Sequence, residues 1–217
     1  MLLPIYVMYD SGVEVFERDC ITDALQEFVE AFPQRKVVIY GMRPWSTGDY
    51  SSADWYVRNA KRVIKKGWDW VQYDAQSLLE LMMREPWQKA NPHIDVLFTS
   101  HDLTGTSRGK MLNFCFGMNM GRFTVQSVFR FRNLPATDRR LAIKAVVWHE
   151  LGHALGCAAD SHRSNTEYKL GMHCTNPGCV MRQGMNLEEW VRHAKDVHRL
   201  GRIYCPQCRD DMYKSYY

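Results

Sequence analysis

The run His149-Glu150-Leu151-Gly152-His153 constrains this chain more than any other feature. It has the form H-E-x-x-H and lies inside a stretch that reads as a helix. Leu141, Ala145, Trp148 and Leu151 recur at helical spacing, with Val147 and Ala154 beside them. Pro135-Ala136-Thr137-Asp138 supplies a stop followed by capping residues, and Gly156 closes the pattern. Side chains four apart share one helical face, so both imidazoles can reach a single zinc ion. Glu150 falls where a general base would meet an activated water. A chance match on an ordinary surface helix is the competing interpretation. The apolar residues on both sides weigh against it, because two imidazoles and a carboxylate are costly to bury without a partner.

Catalytic zinc takes three protein ligands and leaves one position open. Gly156 points to the longer pattern H-E-x-x-H-x-x-G-x-x-H, whose third histidine follows the glycine by three residues. That position is Ala159, which cannot bind. The next candidates are Asp160, His162 and His173. The last opens the run His173-Cys174-Thr175-Asn176-Pro177-Gly178-Cys179-Val180-Met181. Cys174 with Cys179, and Cys205 with Cys208, have zinc-ribbon-like spacing, two close pairs that can form one tetrahedral thiolate site. Pro206 and Asn176-Pro177-Gly178 suit the tight turns between paired ligands. Two disulfides are the alternative, disfavoured by seven cysteines and no secretory signal. Cys20, Cys115 and Cys157 read as core or free thiols.

These residues resemble the archaemetzincins. The family signature continues from the third histidine as H-C, four residues, C, one residue, M, and later C-x-x-C. Here that is His173, Cys174, Cys179 and Met181, then Cys205-Pro206-Gln207-Cys208. The resemblance implies a catalytic zinc on His149, His153 and His173, a structural zinc on the four cysteines, and Met181 as the Met-turn beneath the catalytic metal. It implies a zinc peptidase with Glu150 as general base, and a peptide or protein as substrate. The chain departs from the family in two places. Sixteen residues, 157–172, lie between Gly156 and His173 where the family has two, an apparent insertion of fourteen, and twenty-three residues separate Met181 from Cys205. His173 carries the H-C junction and is favoured as third ligand, with Asp160 or His162 binding directly as the alternative. Upstream, 72–75, 95–103 and the hairpin around Phe116-Gly117 and 125–130 resemble the family more weakly.

With 217 residues and 46% hydrophobic content, the chain can bury a substantial core. Strands are expected at 4–9, 36–40 and 94–99, and a hairpin at 112–119 and 123–131. Helices are expected at 19–31, at 53–66 capped by Ser52 and closed by Gly67, from Asp74 to 84, and at 186–199 as the last element. The fold class is mixed α/β (α+β). A zincin-like twisted mixed sheet packs with helices, among them the active-site helix. A small zinc-stabilised C-terminal subdomain over 157–217 follows an N-terminal part over 1–156. One hairpin strand, 116–119 or 124–130, is expected to supply a sheet edge for an extended substrate.

A net charge of +4 gives no nucleic-acid footprint, and no apolar run is long enough for a membrane span. The cytoplasm is the expected compartment. The basic residues Lys61, Arg62, Lys65 and Lys66 read as a solvated helix face. His93, His101, His193 and His198 read as structural or solvated. Tyr168 and Tyr204 are candidates for stabilising an oxyanion. Loss of the third ligand at Ala159 motivates a second function class, a non-catalytic zinc-binding interaction protein with a degenerate histidine site. A retained general base argues against it.

Overall fold

The first strand, β1 (Ile5–Tyr9), shows how the chain builds its centre. Successive strand side chains point to opposite faces. Ile5 and Val7 enter one hydrophobic cluster and Tyr6 and Met8 enter another, so the sheet around β1 is buried on both sides. The computed structural model describes residues 2–43, 52–107, 109–159 and 163–214.

After β1 come α1 (Val15–Ala31), β2 (Val37–Gly41), α2 (Ala53–Asn59), β3 (Arg62–Val63), β4 (Gln72–Asp74), α3 (Ala75–Met83) and the short α4 (Trp87–Ala90). Then follow β5 (Ile94–Thr99), β6 (Asp102–Thr104), β7 (Thr106–Ser107), β8 (Lys110–Met111), β9 (Gly117–Met120) and β10 (Phe123–Ser127). The long α5 (Ala136–Ala154) precedes β11 (Thr166–Tyr168), β12 (Met172–Cys174), α6 (Leu187–Leu200) and α7 (Pro206–Lys214). The main sheet is twisted and mixed, in the order β2-β1-β5-β10-β9. Its first four strands are parallel to their neighbours, and β9 pairs antiparallel with β10 at the edge. Parallel strands require cover on both faces. Here α1, α5 and α6 cover one face and α2 and α3 the other. Among the described residues no helix is long and apolar enough to cross a membrane.

Several elements differ from the sequence expectations, each for a local reason. Helix α1 starts at Val15 rather than 19, because Glu14 and Glu17 form a capping box. Ser52 caps α2 as expected, through its hydroxyl and the Trp55 N–H. The helix stops at Asn59, however, and residues 62–63 pair with β4 instead of continuing to 66. The basic run is therefore not one helix face. Lys65 reaches across and donates to the Leu112 and Asn113 carbonyls. Those carbonyls lie outside β9, which begins only at Gly117, and residues 129–131 form a 3-10 turn rather than strand. Helix α5 takes Pro135 as N-cap with no side-chain cap, and Asp138 instead pairs with Lys195 of α6. Helix α6 is not the last element. Pro206 opens α7, its fixed φ being well suited to a first helical turn.

Candidate active site

Helix α5 is buried continuously from Ala142 to Gly152. It carries His149, Glu150 and His153 on its last two turns, against the edge of the sheet. Gly156, at φ +81°, ends it with the left-handed turn expected of a glycine. The chain then leaves and returns as an antiparallel hairpin, β11 with β12, and His173 sits in β12. Three imidazoles meet as a result. His153 Nε2 lies 3.1 Å from His149 Nε2 and 3.2 Å from His173 Nε2.

The hydrogen bonds behind the rings fix what those nitrogens are. His149 Nδ1 donates to the Val180 carbonyl at 2.8 Å, and His173 Nδ1 donates to the Gly171 carbonyl at 3.0 Å. In a neutral imidazole the other nitrogen is then a bare lone pair. Burial and the neighbouring rings hold His149 well below the ordinary histidine range, and burial followed by the charge of His173 brings His153 down to about 3. Burial lowers His173 as well. All three are neutral at pH 7, the form that ligates. At least two lone pairs thus face a third nitrogen at close range, an arrangement a cation resolves. Nitrogens about 2.0–2.1 Å from a tetrahedral zinc sit about 3.3 Å apart, close to the separations here.

The four cysteines pass the same test. Cys174 and Cys205 Sγ are 3.8 Å apart, and all four sulfurs lie within 4.8 Å of one another. A disulfide would bring two of them to about 2.05 Å, whereas sulfurs about 2.3 Å from a shared tetrahedral zinc lie about 3.8 Å apart. Hydrogen bonds from the other three pull Cys205 towards thiolate, while hydrogen bonding with its neighbours pushes Cys179 up. N–H donors surround the sulfurs. Asn176 N and Asn165 Nδ2 point at Cys174, Cys205 N at Cys179, and Arg163 Nη2 at Cys208. Two groups of side chains could therefore hold a metal, and both donor sets fit zinc.

The two groups are joined covalently and by hydrogen bonds. His173 and Cys174 are consecutive, and Cys174 N donates to the Met181 carbonyl at 3.0 Å. Met181 is fully buried and packs under α5 at Gly152, where a β-carbon would fall 2.2 Å from its sulfur. A second glycine is equally constrained. A β-carbon on Gly117, in the edge strand, would fall 2.5 Å from Glu150 Oε1. Neither glycine stands out in the sequence as a site residue, although an isolated glycine in a strand pattern does signal close approach. Trp190 of α6, by its spacing an apolar-face residue of that helix, also reaches the site. Its indole donates to the Ala142 carbonyl and its ring meets His149 edge-on at 5.3 Å.

A cleft of about 370 Å³ opens over the histidines and Glu150, between β9 and the β11–β12 turn. Burial pushes the Glu150 carboxyl up to about 8, and a dication beside it would draw it back down. The edge beside this cleft is β9, whereas 124–127 belongs to the internal strand β10. Tyr204 is a correction. It lies behind α5 with its hydroxyl donating to the Trp148 carbonyl, away from any developing oxyanion. Tyr168 is exposed on β11 and does not line the cleft. Asp160 and His162, the alternative third ligands, lie outside the described residues. His93 is buried against Asp95, His101 packs on Tyr73, and His193 is buried, none of them joining the triad.

Two solved structures match over nearly their whole length. One is the archaemetzincin of Methanopyrus kandleri, at TM-score 0.63 and 20% identity, covering 99% of this chain and 95% of that one. The other is the archaemetzincin of Archaeoglobus fulgidus complexed with malonate, at TM-score 0.57 and 20% identity, covering 96% and 99%. The chain has an archaemetzincin-like fold. No family model and no curated protein sequence matches it.

Proposed function

We propose that this protein is a zinc-dependent peptidase, with one catalytic zinc on His149, His153 and His173 and one structural zinc on Cys174, Cys179, Cys205 and Cys208. The observation that carries the reading is the convergence of three Nε2 atoms beside a buried carboxylate at the base of an open cleft. Zinc held there would supply Lewis acidity, polarising the scissile carbonyl and acidifying the attacking water.

The chain's own residues do the rest. A Glu150 carboxylate oxygen takes the proton of the attacking water and returns it to the leaving amine. Gly117 lets the edge strand pass close to that carboxylate, so a peptide laid along β9 by strand addition brings its backbone to Glu150. The carbonyls of Val180 and Gly171 hold two of the ligand rings in one tautomer, the usual role of groups behind a metal ligand. Met181 fills the space beneath Gly152 and supports the helix turn between His149 and His153. Among the described residues the histidine group has three donors and no fourth, which favours an open catalytic position over a closed structural one.

Glu150→Gln is the test. It keeps the size and polarity of the side chain and removes the base. Hydrolysis of a mixed peptide library should fall by at least about 100-fold with zinc content per chain unchanged. Wild-type rates in that variant would refute the assignment.

A further inference from the structure

The hairpin that carries His173 also shapes the cleft. Its turn, Leu170-Gly171, and the adjoining Met172 line it, as do Phe114 and Met118. Leu170 has φ +60°, a left-handed conformation that glycine and asparagine adopt readily and other residues avoid. Its side chain gains little core burial in exchange, being 42% exposed. Folding therefore does not account for a leucine at this turn. Strain of this kind, retained at the lip of a cleft, marks a position held for a function.

The turn is tied closely to the histidines. The Gly171 carbonyl accepts the His173 Nδ1 hydrogen, so Leu170 is one residue from the group that orients a ligand ring. Met185, also 42% exposed, lines the same cleft. Among the described residues that line it, Glu150 is the only one of the Asp, Glu, Lys or Arg type. With Glu150 committed to the reaction, a charged substrate side chain entering here would lose water and, among the described residues, find no ion-pair partner of its own, whereas an apolar one would be covered by leucine and adaptable methionine.

We propose that Leu170, with Met172 and Met185, is a specificity wall that receives a bulky apolar side chain next to the scissile bond. The preferred substrates are extended peptides with a leucine- or phenylalanine-like residue there. The proposal rests on the peptidase reading, and its test separates the two.

Small hydroxamates bind an open metal position without being turned over. Two series would be titrated calorimetrically into the zinc-loaded full chain, with the varied side chain on one or the other side of the hydroxamate. Each series carries a methyl, isobutyl or benzyl group. In the wild type one series should favour isobutyl and benzyl over methyl by about ten-fold or more, as expected for several methylenes in an apolar site. Leu170→Ala and Leu170→Asn should shrink that ratio to about two- or three-fold with the methyl compound unaffected, and Leu170→Met should restore it. Asparagine suits the left-handed turn, so that variant separates loss of the wall from loss of the turn. Equal binding of all three groups in both series, or a preference that survives Leu170→Ala, would overturn the wall and leave the peptidase reading intact. No binding of any hydroxamate to the zinc-loaded chain would overturn both.

Discussion

Replacing Gly117 by alanine adds one methyl group in the place where it should matter most. The new β-carbon would lie 2.5 Å from Glu150 Oε1 and 2.6 Å from its Cδ and Cγ, where 3.4 Å begins ordinary contact. Either the edge strand or the carboxylate must retreat by about 0.9 Å. Gly117 does not have a positive φ, so alanine fits its backbone and should recover about 0.5–1 kcal/mol of strand entropy. Overpacking a close contact costs about 1–3 kcal/mol, so the net change in stability should be a loss of no more than about 2.5 kcal/mol. Catalysis is far more sensitive. A misplacement of about 1 Å costs about 100-fold in rate. Gly117→Ala should therefore stay folded, keep its zinc, and lose about 100-fold in kcat for a peptide substrate. The assay pairs kcat and KM with elemental zinc analysis and a urea melt. A variant with full zinc and unchanged kcat would refute the placement of Glu150 against the edge strand.

Two further outcomes follow from the same geometry. Cys205→Ser should remove one zinc per chain and the thiolate-to-metal absorption of the cobalt-substituted protein. It should also weaken the histidine site by about 10-fold or more, because His173 and Cys174 are consecutive and both depend on the Met181 turn. Undiminished histidine-site affinity in that variant would show that the two centres are independent. Glu17 is buried, and burial raises its pKa. Hydrogen bonds from Arg132, the Glu14 N–H and Arg139 outweigh this and hold it below the ordinary value of 4.5. A depressed carboxylate contributes stability that is complete above its unfolded pKa and is lost as pH falls through the folded one. Glu17→Gln should thus be less stable than wild type in urea at pH 7, and the gap should narrow as pH drops below about 4.5. A gap that widens on acidification would contradict the assignment.

Much of the site was legible because it is local. The i, i+4 spacing of His149 and His153 needs only a helix, and apolar periodicity from Leu141 to Leu151 supplies one. Cysteines two or four residues apart need only a tight turn to face one another. Short, largely apolar runs likewise placed β1 and β5, since each buries both of its faces. The Ser52 cap was equally readable, but the length of its helix was not. Residues 62–63 follow the pairing offered by β4, a partner ten residues away, over their own helical spacing.

The donor types, the candidate base and the helix that presents them were all readable in the chain alone. Tertiary structure decided where distant pieces meet. Sequence spacing cannot say that His173, separated from Gly156 by sixteen residues, returns to within 3.2 Å of His153, because that depends on how β11 and β12 pair and on what α7 packs against. Nor can it show that Gly117 faces Glu150 or that Tyr204 lies behind the helix. Local periodicity is set by bond geometry and is written in each segment. Long-range contact is set by the packing of the whole core, to which every segment contributes and which none specifies alone.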